Sequence, residues 1–406
     1  MPALPRPTAR TLLFWTGSGL VFLLGLALGN QDVVWPALFL ALLPVVSGLA
    51  LLLGRPRFTL ERHVTPPIVT VGEDATVHAV TTARRPSPAG TVVAEDAPGF
   101  LLGAPHRIRL RAARAGEVTE LSYPITARRR GRHRLDGFRV SVTDLLGFWV
   151  HRSRIPHVTE LVATPTVHPL LPRGAAAYGM TGETPIPQTA VSGPDDVMVR
   201  EYQARDDVRR IHWPSTARSG TLMVRREEAA WDPTAWVVLD SRAGVHPREG
   251  GERPTFEWLV SAAASVGLRL LADGYTVTLI DAAGSSHAVA SDRVGAAAVW
   301  LSPLVDIEAG PEPDLHEATQ RLAQAGGDHL IIALLGGLDR PTADLLAATT
   351  ASRHERRAFV LAPDPAARAD FDEGHAVLAD HGWDVHEVST AADLAAPWAS
   401  GRAGAR

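Results

Sequence analysis

The sequence predicts a fold in three parts: an N-terminal transmembrane α-hairpin, an antiparallel β-sandwich and a doubly wound α/β domain. Three observations predict it. Two uncharged apolar runs, Thr11 to Gly29 and Val33 to Gly54, open the chain; short runs of period-two alternation follow to about residue 168; and from Thr234 apolar strands alternate with helical patterns. The corresponding boundaries are 1–55 for the hairpin, with helices at about 11–29 and 33–54, 56–170 for the sandwich, 171–196 for a linker and 197–400 for the α/β part.

Each apolar run has the length of about 20 residues that a helix needs to cross the hydrocarbon core of a bilayer. The break between them, Asn30, Gln31 and Asp32, is too short to hold a domain, so both flanks lie on one side. Those flanks carry Arg6 and Arg10 before the runs, and Arg55, Arg57 and Arg62 after them. The positive-inside bias then predicts a two-pass protein of the cell membrane with both termini and all soluble parts cytoplasmic. A secretory signal peptide is disfavoured, because a second apolar run follows at once and no small-residue cleavage site separates the two.

Hydrophobic residues make up 46% of the 406 positions, enough for packed cores rather than wholesale disorder. Cysteine is absent, which excludes disulfides, thiolate metal sites and a cysteine nucleophile. Lysine is absent too, so all 40 basic residues are Arg, and Schiff-base and Walker-lysine chemistry is excluded with it. Charge is split along the chain: residues 55–228 hold 25 Arg against 18 acids, and residues 229–406 hold 13 Arg against 25 acids. A basic half next to the hairpin suits anionic lipid, and an acidic outer half repels nucleic acid.

In the sandwich region Thr76 to Val80, Arg107 to Arg111, Val118 to Ile125 and Phe138 to Val142 alternate, with turns at Gly72-Glu73-Asp74 and Asp136-Gly137. Such spacing predicts an immunoglobulin-like sandwich. Leu171 to Asp195 is rich in Gly, Pro, Ala and Thr without periodicity and reads as a loop or linker. The α/β part is predicted from strands at Ala235 to Leu239, Thr276 to Ile280, His329 to Leu334, Ala358 to Leu361 and Asp384 to His386, and helices at Phe256 to Leu271, Thr342 to Ala348 and Arg368 to Asp380.

The most distinctive segment, Val197 to Glu228, lies ahead of this alternation. Two strand-like stretches, Val197 to Tyr202 and Leu222 to Arg226, bracket Arg209, Arg210, His212, Trp213, Ser215, Thr216 and Arg218. Two readings stand: an arginine-lined surface that grips carboxylate or phosphate with Trp213 as an interface anchor, or internal packing of Trp213 with the arginines paired to Asp206, Asp207, Glu227 and Glu228. The core Arg209-Arg210-Ile211-His212-Trp213-Pro214-Ser215-Thr216-Ala217-Arg218 resembles the signature of the domain of unknown function 58 family. Arg129-Arg130-Gly131-Arg132 and Asp144-Leu145-Leu146-Gly147-Phe148 are similar to further family motifs. Pro214 stands where many relatives have Lys, and Leu145 where they have Pro.

The resemblance implies that the α/β part looks like a von Willebrand factor A domain, whose metal-binding form holds Mg²⁺ through Asp-x-Ser-x-Ser. Here the run is Asp240-Ser241-Arg242-Ala243-Gly244, so Arg242 and Gly244 replace both serines, and no cofactor is expected. Asp240 then pairs with Arg242 or caps a loop. The resemblance further implies a MoxR-type AAA+ ATPase as partner and a role as an assembly platform for envelope or secreted complexes. Two alternatives are a hydrolase using Asp240, His212 and Ser215, and an extracytoplasmic adhesion module. No P-loop, no nucleophile elbow and no second histidine after His354-Glu355 supports an enzyme.

Overall fold

The computed structural model describes residues 4–54, 57–85, 90–99, 101–110, 114–172, 199–201, 213–225, 234–326, 329–349, 355–389 and 394–399. The chain divides into two units, Met1–Thr166 with Leu301–Ile307, and Val167–Trp300 with Glu308–Arg406.

After a two-residue strand β1 (Arg6–Pro7), the first unit opens with helices α1 (Ala9–Ala27) and α2 (Gln31–Leu53). Both are long and apolar enough to cross a membrane. Each starts and ends slightly earlier than the apolar runs suggest. Gln31 and Asp32 belong to the first turn of α2 rather than to the break, because Asn30 caps that helix by accepting the Asp32 amide at 2.9 Å. Gly25 sits against α2, where a Cβ would meet Val34 Cγ2 at 3.0 Å, so the two helices approach closely.

The sandwich follows as β2 (Phe58–Thr65), β3 (Ile68–Thr70), β4 (Asp74–Ala83), β5 (Thr91–Asp96), β6 (His106–Leu110), β7 (Val118–Thr126), β8 (Gly131–Leu135), β9 (Arg139–Thr143), β10 (Trp149–Arg154) and β11 (Thr159–Thr164). The sheets run β1-β10-β9-β5-β6, β2-β4-β7 and β3-β11-β8. Pairing is antiparallel as expected except that β3 lies parallel to β11. Pro66 and Pro67 have no amide to continue the β2 ladder, so the chain leaves that sheet and enters the neighbouring one.

Alternation decides the core. Leu60 and Val64 of β2 and Val77 and Ala79 of β4 turn inward against Val92, Phe138, Val140, Leu135 and Leu161. Arg62 occupies an inward position of the same strand and is buried. Its Nη1 donates to Asp96 Oδ1 at 2.7 Å, its Nε to Thr159 Oγ1 at 3.2 Å, and its Nη2 to the carbonyls of His157 and Leu135. Burial first, and then the Asp96 carboxylate, push the Tyr123 hydroxyl well above the usual phenol range.

The hairpin is built into this sandwich through the turn between β9 and β10. Thr8 donates its amide to Phe148 O at 2.8 Å and its hydroxyl to Gly147 O at 2.7 Å, and Thr11 Oγ1 also donates to Phe148 O. Ser47 Oγ donates to Asp144 Oδ2, while Asp144 Oδ1 accepts the Trp149 amide at 2.7 Å. Trp149 Nε1 reaches Pro44 O at 2.7 Å and packs edge-on to Trp15, with ring centroids 6.1 Å apart.

The second unit contributes a small ladder, β12 (Val199–Glu201) antiparallel to β13 (Met223–Arg225), with helix α3 (Trp213–Ser219) between them. Its main sheet is built from β14 (Thr234–Leu239), β15 (Thr276–Asp281), β16 (Ser286–Val289), β17 (Leu330–Leu335), β18 (Arg356–Leu361) and β19 (Asp384–Val388). The order is β16-β15-β14-β17-β18-β19, parallel throughout except for the edge strand β16. The inner strands β14, β15, β17 and β18 are buried at most positions and are largely apolar, whereas the edge strands β16 and β19 are not. Helix α4 (Pro254–Ala272) packs along β14, β15 and β17. Helices α6 (His316–Ala325), α7 (Arg340–Ala347) and α8 (Arg368–Asp380) cover the face that carries Val238, Ile280, Ala333 and Val360. Helix α5 (Ala296–Asp306) begins in this unit and supplies Trp300, whose ring lies over Gly267 of α4. A Cβ at Gly267 would stand 1.9 Å from Trp300 Cε2. Helix α4 is itself apolar and long enough to cross a membrane, yet it is largely buried within this unit.

Candidate functional site

In an open parallel sheet, ligands settle outside the carboxyl ends of the strands, where the strand order reverses. Here that point lies between β14 and β17, and Asp240 directly follows β14. Asp240 is fully buried. Its Oδ1 accepts from Arg242 Nε at 2.8 Å and from the Arg242 amide at 3.2 Å. Its Oδ2 accepts from Arg242 Nη2 at 2.8 Å and from the Gly336 amide, just past β17, at 3.1 Å. The guanidinium continues to Thr342 Oγ1 through Nη1 at 3.0 Å. Burial opposes the charge on Arg242, but the hydrogen bonds and attraction from Asp240, with Asp339 and Asp314 adding, raise its pKa above the usual guanidinium value.

The surrounding loops hold this pair. Ser241 Oγ accepts the Ala282 amide at 3.0 Å, and Asp339 caps α7 by accepting the Thr342 amide at 3.0 Å. Burial alone would raise the Asp339 pKa, yet the Thr342 hydrogen bonds and the Arg242 charge outweigh it and leave the carboxyl below its ordinary range. His246 is fully buried, with Nε2 at 2.9 Å from Asp240 O and Nδ1 at 3.1 Å from Thr255 Oγ1. Burial lowers its pKa, so the imidazole is held neutral. Gly336 is required beside it, because a Cβ there would meet His246 Cε1 at 2.3 Å.

This arrangement does not fit a divalent cation. Both Asp240 oxygens already accept donors, and a fixed positive charge stands among the oxygens of Asp240, Thr342 and Gly337. Among the described residues no group of three or more His, Cys, Asp or Glu is placed to hold a metal ion. Both roles open to Asp240 in the sequence are formed: it pairs with the Arg242 guanidinium and caps the loops by accepting the Arg242 and Gly336 amides. His246, Gly336, Asp339 and Thr342 escaped sequence reasoning; only Asp339-Arg340-Pro341, a cap followed by an early proline, carried a local signal.

The signature segment is described in part. Arg209, Arg210 and His212 lie outside the described residues, as do Asp206, Asp207, Glu227 and Glu228. Trp213 opens α3 with 66% of its surface exposed, so packing of this residue in a core is not what forms. Pro214 falls in the first turn, where a missing amide costs nothing. Thr216 Oγ1 accepts the Met223 amide at 3.0 Å and fastens β13 to the helix. Arg218 is exposed in the last turn, and at five residues' separation it does not share a face with Trp213.

Residues 198–380 match the DUF58 family, described as a protein of unknown function. The matched segment runs from β12 into α8 and takes in both α3 and the Asp240 cluster. No curated protein matches this sequence significantly. Among solved structures, the chain is similar to the CARDB domain of a Pyrococcus furiosus protein at 13% identity, covering 27% of this chain and 93% of that one with a TM-score of 0.19. The PilB minor pilin from Streptococcus sanguinis is similar at 8% identity over 75% of this chain and 84% of that one, with a TM-score of 0.29. A beta-glucosidase from Listeria innocua matches at 17% identity over 27% of this chain and 16% of its own, with a TM-score of 0.16.

Proposed function

We propose that this DUF58-matching chain is a membrane-anchored binding platform that works with a MoxR-type AAA+ ATPase in chaperone-like assembly of envelope or secreted complexes. In this reading the hairpin is a two-pass anchor, both termini and the soluble parts are cytoplasmic, the first unit is an immunoglobulin-like sandwich and the second a von Willebrand factor A-like domain. The strand order β16-β15-β14-β17-β18-β19 with an antiparallel edge supports the last of these. The observation that carries the proposal is Trp213, a large aromatic left 66% exposed on a short helix inside the family segment. Large aromatics such as Trp are enriched among the residues that anchor protein-binding hot spots. The pair Asp240–Arg242 adds support, because a buried, saturated carboxylate offers neither nucleophile nor base.

The test is affinity purification of the tagged full-length protein from detergent-solubilised membranes, with and without ATP, followed by mass spectrometry. Nucleotide-dependent recovery of an AAA+ ATPase is the expected outcome. Recovery of the chain alone under both conditions would remove the platform reading.

A further inference from the structure

Leu145 and Leu146 are 74% and 48% exposed at the tip of the turn that grips the hairpin. Consecutive exposed leucines on a soluble face need an explanation; the place of this turn along the helices supplies one. Counting at about 1.5 Å per residue from the Asn30 cap, Pro44 lies about 21 Å and Leu51 about 31 Å along α2. The hydrocarbon core is about 30 Å thick. Asp144 and Trp149 therefore contact α2, through Ser47 and Pro44, at a depth where a spanning helix is still surrounded by lipid. Between this turn and α2 lies a groove of about 310 Å³, lined by Leu43, Val46, Ala50, Asp144, Leu145 and Leu146. It is continuous with the exposed apolar surface of the helix at Val46, Leu49 and Leu53. Trp15 and Trp149 stand at the same level, as interfacial aromatics do.

Charge agrees with this placement. Arg6 pairs through β1 with Val150, Arg10 lies beside Gly147, and the Arg84 amide donates to Arg57 O at 2.6 Å, bringing Arg84 and Arg85 to the base of β2. All five side chains are exposed, around the end where the hairpin leaves the sandwich, with Glu117 close to the Arg84 side.

We propose that the Asp144–Phe148 turn is an interfacial anchor: Leu145 and Leu146 lie among the acyl chains of the bilayer, one chain occupies the groove against α2, and the arginine collar meets lipid phosphates. The proposal rests on the reading of α1 and α2 as membrane-spanning. It makes the sandwich a peripheral lipid-contacting module rather than a body held off the surface by a tether.

Because the chain has no cysteine, single-cysteine variants label cleanly. Leu145→Cys probes the turn, Leu49→Cys the exposed face of α2, and Glu73→Cys the far end of the sandwich. Glu73 is distal because β2 leaves the hairpin at Phe58 and ends at Thr65, which pairs with Thr76. Each full-length variant carries an NBD label in vesicles of phosphatidylcholine and phosphatidylglycerol, and quenching by doxyl lipids is read. Strong quenching at 49 and at 145, with 145 most sensitive to the shallow doxyl position and at least threefold above 73, is expected. Quenching at 49 with 145 indistinguishable from 73 overturns the anchor and leaves the hairpin standing. No quenching at 49 overturns the membrane reading, and the anchor falls with it.

Discussion

Arg242 holds Asp240 by two parallel hydrogen bonds, Nε to Oδ1 and Nη2 to Oδ2, each 2.8 Å, at the point where the order of the parallel sheet reverses. Planar, bidentate pairing of this kind fixes geometry as well as charge. A crevice that elsewhere receives a ligand is here closed by the chain's own cation.

Breaking that pair from one side leaves a buried charge alone. Arg242→Ala should therefore lose about 3–5 kcal/mol, read by urea denaturation in detergent. Millimolar Mg²⁺ should leave the wild-type melting temperature unchanged. A rise of several degrees in the wild type would show that a cation displaces the guanidinium.

His246 sets a pH dependence of known sign. Its folded-state pKa lies below the ordinary 6.5, so the unfolded chain binds the proton more readily. The contribution of this group is complete above that value and declines as pH falls below it, by at most about 1.4 kcal/mol per pH unit. His246→Gln should remove this part of the slope between pH 7.5 and 5. Parallel stability profiles for the two proteins would refute the assignment.

Gly267 has no room for a methyl group beneath the Trp300 ring. Gly267→Ala should destabilise by about 3 kcal/mol, at the upper end of typical overpacking. Gly244 has open space around its Cβ position, so Gly244→Ala should be close to neutral. Equal midpoints for the two variants in one denaturation series would contradict the packing argument.

Trp213 and Arg218 are exposed, so replacing either by Ala should change stability by no more than about 0.5 kcal/mol. Recovery of the ATPase should nevertheless fall at least tenfold for Trp213→Ala in the pull-down. Undiminished recovery for both variants would exclude α3 as the contact.

Much of the architecture was legible because burial writes itself into composition. Strands such as Leu330–Leu335, buried at every position, can only be apolar runs, and α1 and α2 stand out as long apolar helices with a charge only near their starts, at Arg10 and Asp32. Elements with weak burial were missed for the same reason. Ser286–Val289 exposes three of its four residues, and the parallel pairing of Ile68–Thr70 depends on the chain switching sheets at two prolines. At the candidate site, Asp240 and Arg242 are two residues apart, so their pairing was within reach of the sequence. Gly336, Asp339 and Thr342 join them from about a hundred residues away, a distance that only the parallel sheet closes.

The clamp of Thr8, Thr11, Pro44 and Ser47 on the β9–β10 turn has a mechanical meaning. A pair of helices joined to a domain by a slack connection lets that domain swing like a buoy; this pair is bolted at several points on both helices, so in a bilayer spanned by α1 and α2 the sandwich would keep a set tilt to its plane. Exchanging the hairpin for an unrelated pair of spanning helices would preserve attachment and lose posture. If posture matters to what the protein does, such a chimera would sit in the membrane, fold normally and fail.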